Sequence, residues 1–169
     1  MRKVTIDEVD NAISPAAVIR RLSEPLATEH VALNLFELEP GDSSAYAYHA
    51  HEHQEEVFVV LEGTATFDTE EGPVTATKGE VVRFAPREYQ RCWNRGDGRV
   101  VTLVIGAPSE YGDEPRLRTC PTCEATRDNE LEIREQEGVP GGRAIVAICT
   151  TCGSETGRWF EGSMQGEVP

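Results

Sequence analysis

The sequence predicts an all-β chain, a sandwich or barrel followed by a small ribbon. Three observations carry this. From Val31 onward, strand-like runs of five to eight residues alternate with turn signals, the pattern of many short strands in a sandwich or barrel. No stretch with the period of a three-turn helix interrupts them, which disfavours an alternating α/β fold. Four of the five cysteines form two pairs with two residues between them, Cys120/Cys123 and Cys149/Cys152.

In chain order, residues 1–30 read as a mixed arm. Within it "SPAAVIRRLSE" suits a short helix, with Ser14 as cap and Pro15 at the first helical position. Residues 31–108 read as the barrel. Its runs are "VALNLFEL", "YAYHAH", "EVFVVLE", "TATFDT", "PVTAT", "VVRFA", "YQRCWN" and "VVTLVIG", parted by turns such as "EPGD", "EEG" and "NRGDG". Residues 109–116 read as a linker with little to bury, 117–161 as the ribbon and 162–169 as a tail.

The 169 residues carry 16 Lys and Arg against 30 Asp and Glu, a formal charge of −14. Both halves are acidic, so the surface repels phosphate backbones and disfavours nucleic acid. Such a surface also suits a chain that stays soluble in high salt, as in a halophile. No run approaches the roughly 20 apolar residues that span a membrane, and the start lacks the apolar core of a secretory signal. A cytoplasmic setting is the expectation, and there paired cysteines indicate metal rather than disulfides.

"YHAHEHQEEVFVVLEG" places three of the four histidines at alternate positions. Strand alternation sends His49 and His51 to one face, and parity picks Glu56 over Glu55 to face inward with Phe58 and Val60. Neighbouring strands joined by the "EHQE" turn would bring these three together. Two imidazoles and a carboxylate suit iron, manganese, nickel, copper or zinc and match calcium poorly. The competing reading is an exposed His-rich turn of no consequence. His53 falls nearer the turn and reads as a rim residue. Along "YQRCWN", Gln90, Cys92 and Asn94 share one face, with Tyr89, Arg91 and Trp93 opposite. Cys92 reads as a small buried hydrophobe or a thiol near the metal, Arg83 as surface-facing or as a partner for an anionic ligand, and Phe58, Phe67 and Phe84 as core.

These residues carry a resemblance. His49, His51, Glu56 and Gly63 match the first motif of the cupins, small β-barrels of jelly-roll type; Gly41 stands two residues early. "GEVVRFAPREYQRCWN" is similar to the second motif through Gly79 and Asn94, but Ala85 stands at the proline position and Arg87 at the second glycine. Gln90 occupies the place of the third metal-binding histidine. The resemblance covers Ala32–Ala107. It implies a divalent transition metal held by His49, His51, Glu56 and Gln90, with the glutamine a weaker donor than imidazole. A weakened catalytic centre, a three-ligand centre with open positions, and a remnant that only holds the barrel together all remain open.

Cys120, Cys123, Cys149 and Cys152 have zinc-knuckle spacing. Four thiolates complete a tetrahedron and leave no open position, so a Zn²⁺ ion there is structural. "ELEIR" and "AIVAIC" form a hairpin across "EGVPGG", and "GRWFEG" adds a third strand. Leu117–Glu161 thus resembles a zinc ribbon, suited to a protein partner or to capping the barrel.

The resemblance implies a metal-binding protein with a small molecule in its barrel, and an enzyme of the dioxygenase, isomerase or decarboxylase type. The alternative is a non-enzymatic binding or regulatory protein that meets a partner through the ribbon. Glu55, His53 and Tyr46 are the candidate bases. A homodimer paired through the outer faces of the barrel is the expected assembly.

Overall fold

Alternation of apolar and polar residues gives each run one face to bury, and the runs bury it against each other. The computed structural model of the chain describes residues 1–161; the expected tail, 162–169, lies outside the described residues. The strands are β1 (Val18–Arg21), β2 (Ala32–Leu38), β3 (Tyr48–His49), β4 (Glu55–Glu62), β5 (Thr64–Thr69), β6 (Val74–Thr77), β7 (Val81–Phe84), β8 (Gln90–Trp93), β9 (Val100–Ala107), β10 (Arg116–Cys120), β11 (Ala125–Glu135), β12 (Arg143–Cys149) and β13 (Glu155–Phe160). They form a five-stranded sheet, β1-β2-β9-β4-β7, and an eight-stranded sheet, β13-β12-β11-β10-β3-β8-β5-β6. No helix among the described residues is long and apolar enough to cross a membrane.

The two sheets close on a shared core of Ile19, Phe36, Leu38, Phe58, Val60, Phe67, Phe84, Cys92, Val100 and Val104. Phe58 and Phe67 meet edge to face at 5.0 Å, and Phe84 completes the aromatic cluster. Each such side chain contributes roughly 1.5–3 kcal/mol by leaving water. β9 shows the alternation most plainly: Val100, Thr102, Val104 and Gly106 are buried and the residues between them are half-exposed. At the end of β8, the buried Asn94 donates to the Leu38 and Gly98 carbonyls at 2.8 Å each. It ties the lower ends of the two sheets together.

Two features differ from the sequence reading. The helix expected over "SPAAVIRRLSE" is not formed. Ser14 instead accepts from the Ala16 amide in a turn, and β1 follows, paired to β2. The β-branched Val18 and Ile19 gain more from that sheet edge than from an isolated turn of helix. Among the described residues the one α-helical turn is α1 (Ser23–Leu26), beside two 3₁₀ turns at Ile6–Glu8 and Pro140–Gly142. The expected linker, in turn, lies against the barrel. The Tyr111 and Asp113 carbonyls accept from the His53 and Glu52 amides, and β10 begins at Arg116 and pairs with β3. The ribbon therefore extends a barrel sheet. Tyr46 and Trp159 pack edge to face at 4.9 Å across the seam, and the buried Arg118 donates to the carbonyls of Tyr46 and Thr156.

Candidate metal centres

The barrel centre is assembled from both sheets. β4 presents Glu56, Phe58 and Val60 inward, so Glu56 is the uppermost rung of a core ladder. β3 presents His49, directly opposite Gln90 of β8. The expected adjacency of the two histidine-bearing and glutamate-bearing strands is not found: β3 and β4 lie in opposite sheets. The "EHQE" turn crosses between sheets, and facing rather than neighbouring strands bring the groups together.

One ligand atom from each of His49, His51 and Glu56 lies within 4.8 Å of the others. His49 is buried, and its Nδ1 donates to the Ala47 carbonyl at 3.1 Å. That fixes the tautomer and leaves the Nε2 lone pair facing inward, the arrangement typical of a ligating imidazole. His51 Nε2 stands 3.7 Å from Glu56 Oε2. Gln90 Nε2 donates to Glu56 Oε2 at 2.7 Å and faces His49 Nε2 at 3.2 Å. Two buried atoms of this centre, Gln90 Oε1 and His51 Nδ1, have no hydrogen-bond partner among the described residues.

Burial is the largest influence on both imidazoles, and it opposes their charged forms. At His49 it prevails over the nearby Glu56 and Glu114, and the pKa is lowered. At His51 the contact with Glu56, and the charges of Glu56 and Glu114, outweigh it, and the pKa is raised. Two imidazoles and one carboxylate, with one ring already oriented from behind, fit a divalent transition metal. Gln90 fits less well: its amide nitrogen is committed to Glu56 and His49, and its oxygen would have to turn inward to join them.

The centre opens into a cavity of about 260 Å³ whose wall includes Arg21, Asn34, Tyr46, Glu114 and Arg116. None of the bases expected from sequence stands free in it. Glu55 points outward and pairs with Arg83 at 2.5 Å. His53 is exposed and pairs with Glu52 at 3.4 Å. Tyr46 lines the cavity, but its hydroxyl donates to the Ile13 carbonyl and burial raises its pKa. Cys92 belongs to the core, where burial pushes its thiol up. The sequence reading missed Tyr111, whose ring lies 5.4 Å from that of His51, and the ion pair of Glu114 with Arg116. Both came from a stretch that read as linker. The alternation of Arg116, Arg118 and Cys120 was the available signal.

At the other centre, Cys120 ends β10 and Cys149 ends β12, while Cys123 and Cys152 sit in the turns that follow. Their sulfurs approach at 3.5 Å for Cys120–Cys152 and 4.0 Å for Cys123–Cys149. A tetrahedron with metal–sulfur bonds of ~2.3 Å has edges of about 3.8 Å, so the four thiols are set for one ion. Hydrogen bonding from Ser154 pulls the Cys152 thiol down, while its hydrogen bond to Cys152 pushes the Cys123 thiol up, so without an ion the cluster holds its first negative charge on Cys152.

A scan against family models matches the cupin domain over residues 34–106. A search of curated protein sequences finds no match. Among solved structures, one put forward as a sugar phosphate isomerase, from Acidithiobacillus ferrooxidans, is 28% identical with a TM-score of 0.56, over 62% of this chain and 74% of that one. A sugar phosphate isomerase from a cupin superfamily, from Silicibacter pomeroyi, is 20% identical with a TM-score of 0.58, over 88% of this chain and 87% of that one. A predicted oxalate decarboxylase from Thermotoga maritima is 20% identical with a TM-score of 0.55, over 63% of this chain and 98% of that one. The chain thus contains a cupin-fold domain, and the second of these likenesses reaches well beyond it.

Proposed function

We propose, from the cupin fold of residues 34–106 and the side chains it gathers, that the protein is a metal-dependent enzyme acting on a small molecule in the barrel. The observation that carries this is the convergence of His49, His51 and Glu56 at the inner end of a cavity of about 260 Å³. A divalent cation there supplies Lewis acidity to a bound carbonyl or carboxylate oxygen. His49 and His51 would hold it through neutral rings, Glu56 would balance part of its charge, and Phe58, buried next to Glu56 along β4, closes the inner side. Isomerisation is the favoured reaction class of the three, supported by the 28% identical relative put forward as a sugar phosphate isomerase. A Zn²⁺ ion on the four cysteines holds the ribbon and takes no part in the chemistry.

A binding role without turnover is the second reading. It draws on one observation: Glu114, the cavity's other carboxylate beside Glu56, is tied to Arg116. The test has two parts. Metal analysis of the full chain, purified without added metal, should find zinc plus a second ion that His51→Ala removes. The metal-loaded protein should then exchange carbon-bound hydrogen next to the carbonyl of phosphorylated sugars in D₂O, read by NMR. A chain that takes up no second ion refutes both readings of the barrel metal. Uptake without exchange across aldose and ketose phosphates refutes the isomerase.

A further inference from the structure

We infer that the mouth of the barrel cavity is an anion subsite, in which Arg21 and Asn34 take a carboxylate or phosphate group of the small molecule. The inference rests on the cavity being the binding site proposed above, and it adds the class of ligand.

Arg21 and Asn34 lie directly opposite each other on β1 and β2. The next rung on the same face pairs Ile19 with Phe36, both buried in the core. Alternation therefore sets Arg21 and Asn34 above that core, on the cavity side. Both line the same cavity as His49, His51, Glu56 and Gln90.

Neither side chain has a hydrogen bond or ion pair among the described residues. Arg20 and Arg127 likewise meet only backbone carbonyls, but they do not line this cavity, and other arginines of this chain of net charge −14 are held by carboxylates. Arg83 pairs with Glu55, Arg87 with Glu52, Arg95 with Asp68, Arg99 with Glu37 and Glu62, and Arg116 with Glu114. The cavity's other arginine is thus already spent on a carboxylate, whereas Arg21 keeps its full set of donors. A guanidinium presents a planar fork that matches carboxylate and phosphate oxygens two at a time, and the Asn34 amide adds a neutral donor beside it. With a divalent cation on the inner residues, positive charge in the cavity exceeds negative, and an anionic ligand restores the balance. A cavity near the lower end of small-molecule sites, about 300–1,000 Å³, limits that ligand to a few carbons beyond its anionic group.

The test titrates inorganic phosphate and acetate, separately, into the full chain at low ionic strength by calorimetry. The protein is used with its barrel site loaded with Mn²⁺ and again with that site stripped. Wild type should bind one of the two anions in both states, and which one it binds separates a phosphoester from a carboxylate ligand. Arg21→Gln should weaken that binding by roughly tenfold or more, Arg21→Lys by less, and Asn34→Ala by a few-fold, with Mn²⁺ uptake unchanged in all three. Equal anion binding in wild type and Arg21→Gln overturns the inference, as does no binding of either anion in both states. Failure of wild type to take up Mn²⁺ counts against the proposed metal function alone, because the stripped arm still reads the anion subsite. Should Arg21→Gln fold poorly, Arg21→Lys and Asn34→Ala decide the matter, and wild-type affinity in both overturns it.

Discussion

Arg116 lies directly across from His49 in the register of β10 and β3. Two residues further along the same strand, Arg118 enters the buried seam with Tyr46 and Thr156. Two further still, Cys120 joins the thiol cluster. One five-residue strand thus carries part of the barrel cavity, the seam and a ligand of the second centre. The two centres share one continuous strand.

Cys149→Ser should therefore do more than release the ribbon's zinc. With one thiolate gone, the turns holding Cys120 and Cys123 lose their anchor, and β10 loosens against β3. We expect loss of about one zinc per chain and a several-fold fall in affinity of the barrel for its own metal. Metal analysis and competition against a chromophoric chelator check this. Unchanged barrel affinity after zinc loss would show that the two centres are independent.

Within the barrel, His51→Ala should abolish metal binding at that centre, and Gln90→His should tighten it. The first removes one of three convergent donors. The second replaces an amide, whose nitrogen faces Glu56 and His49 at 2.7 and 3.2 Å, with a stronger donor for a transition metal. Titration of the stripped protein with Mn²⁺ or Co²⁺ reads both. If His51→Ala binds as wild type does, the metal lies elsewhere.

Gly63 tests a different link, from sequence to turn. It has φ +75°, and a Cβ there would stand 2.4 Å from the Arg99 carbonyl oxygen. Gly63→Ala should cost roughly 1–3 kcal/mol, while Gly98→Ala, in open space and without a positive φ, should stay within about 1 kcal/mol of wild type. Urea denaturation of both variants makes the comparison. Equal stability would mean that the β4–β5 turn yields without strain.

Local patterns made the strands legible. Alternation in "VVTLVIG" or "YQRCWN" is imposed by one buried face, so parity alone placed Glu56 with Phe58 and separated Gln90 and Cys92 from Arg91 and Trp93. Contacts between distant segments left no such trace. Nothing in "SPAAVIRR" reveals that β2 offers it an edge, so β1 read as helix and Arg21 as part of an arm. Nothing in "YGDEPR" reveals that the rim of the barrel will receive it, so Tyr111, Glu114 and Arg116 read as linker. The cavity wall was hidden because its members come from segments that are ordered only by what they dock against.

The two imidazoles also predict how metal binding should respond to acid. A ligating imidazole must be neutral, so protons compete with the metal wherever a ring binds them. His51 has its pKa raised above the ordinary value of about 6.5, because Glu56 and Glu114 outweigh burial. Falling pH therefore protonates His51 first. His49 has its pKa lowered by burial, so its ring stays neutral until the solution is distinctly more acid. Log affinity for Mn²⁺ should then be flat well above neutrality. It should fall with a slope near one proton per ion while the pH is still above the ordinary imidazole value, as His51 takes up its proton, and approach two only on the acid side of that value, where His49 follows. Chelator competition at constant ionic strength, in buffers that do not bind metal, gives the curve. Two rings of ordinary pKa would instead turn together, with the slope passing straight to two near pH 6.5. That outcome would mean that Glu56 does not stabilise the charged form of His51 as the 3.7 Å contact implies.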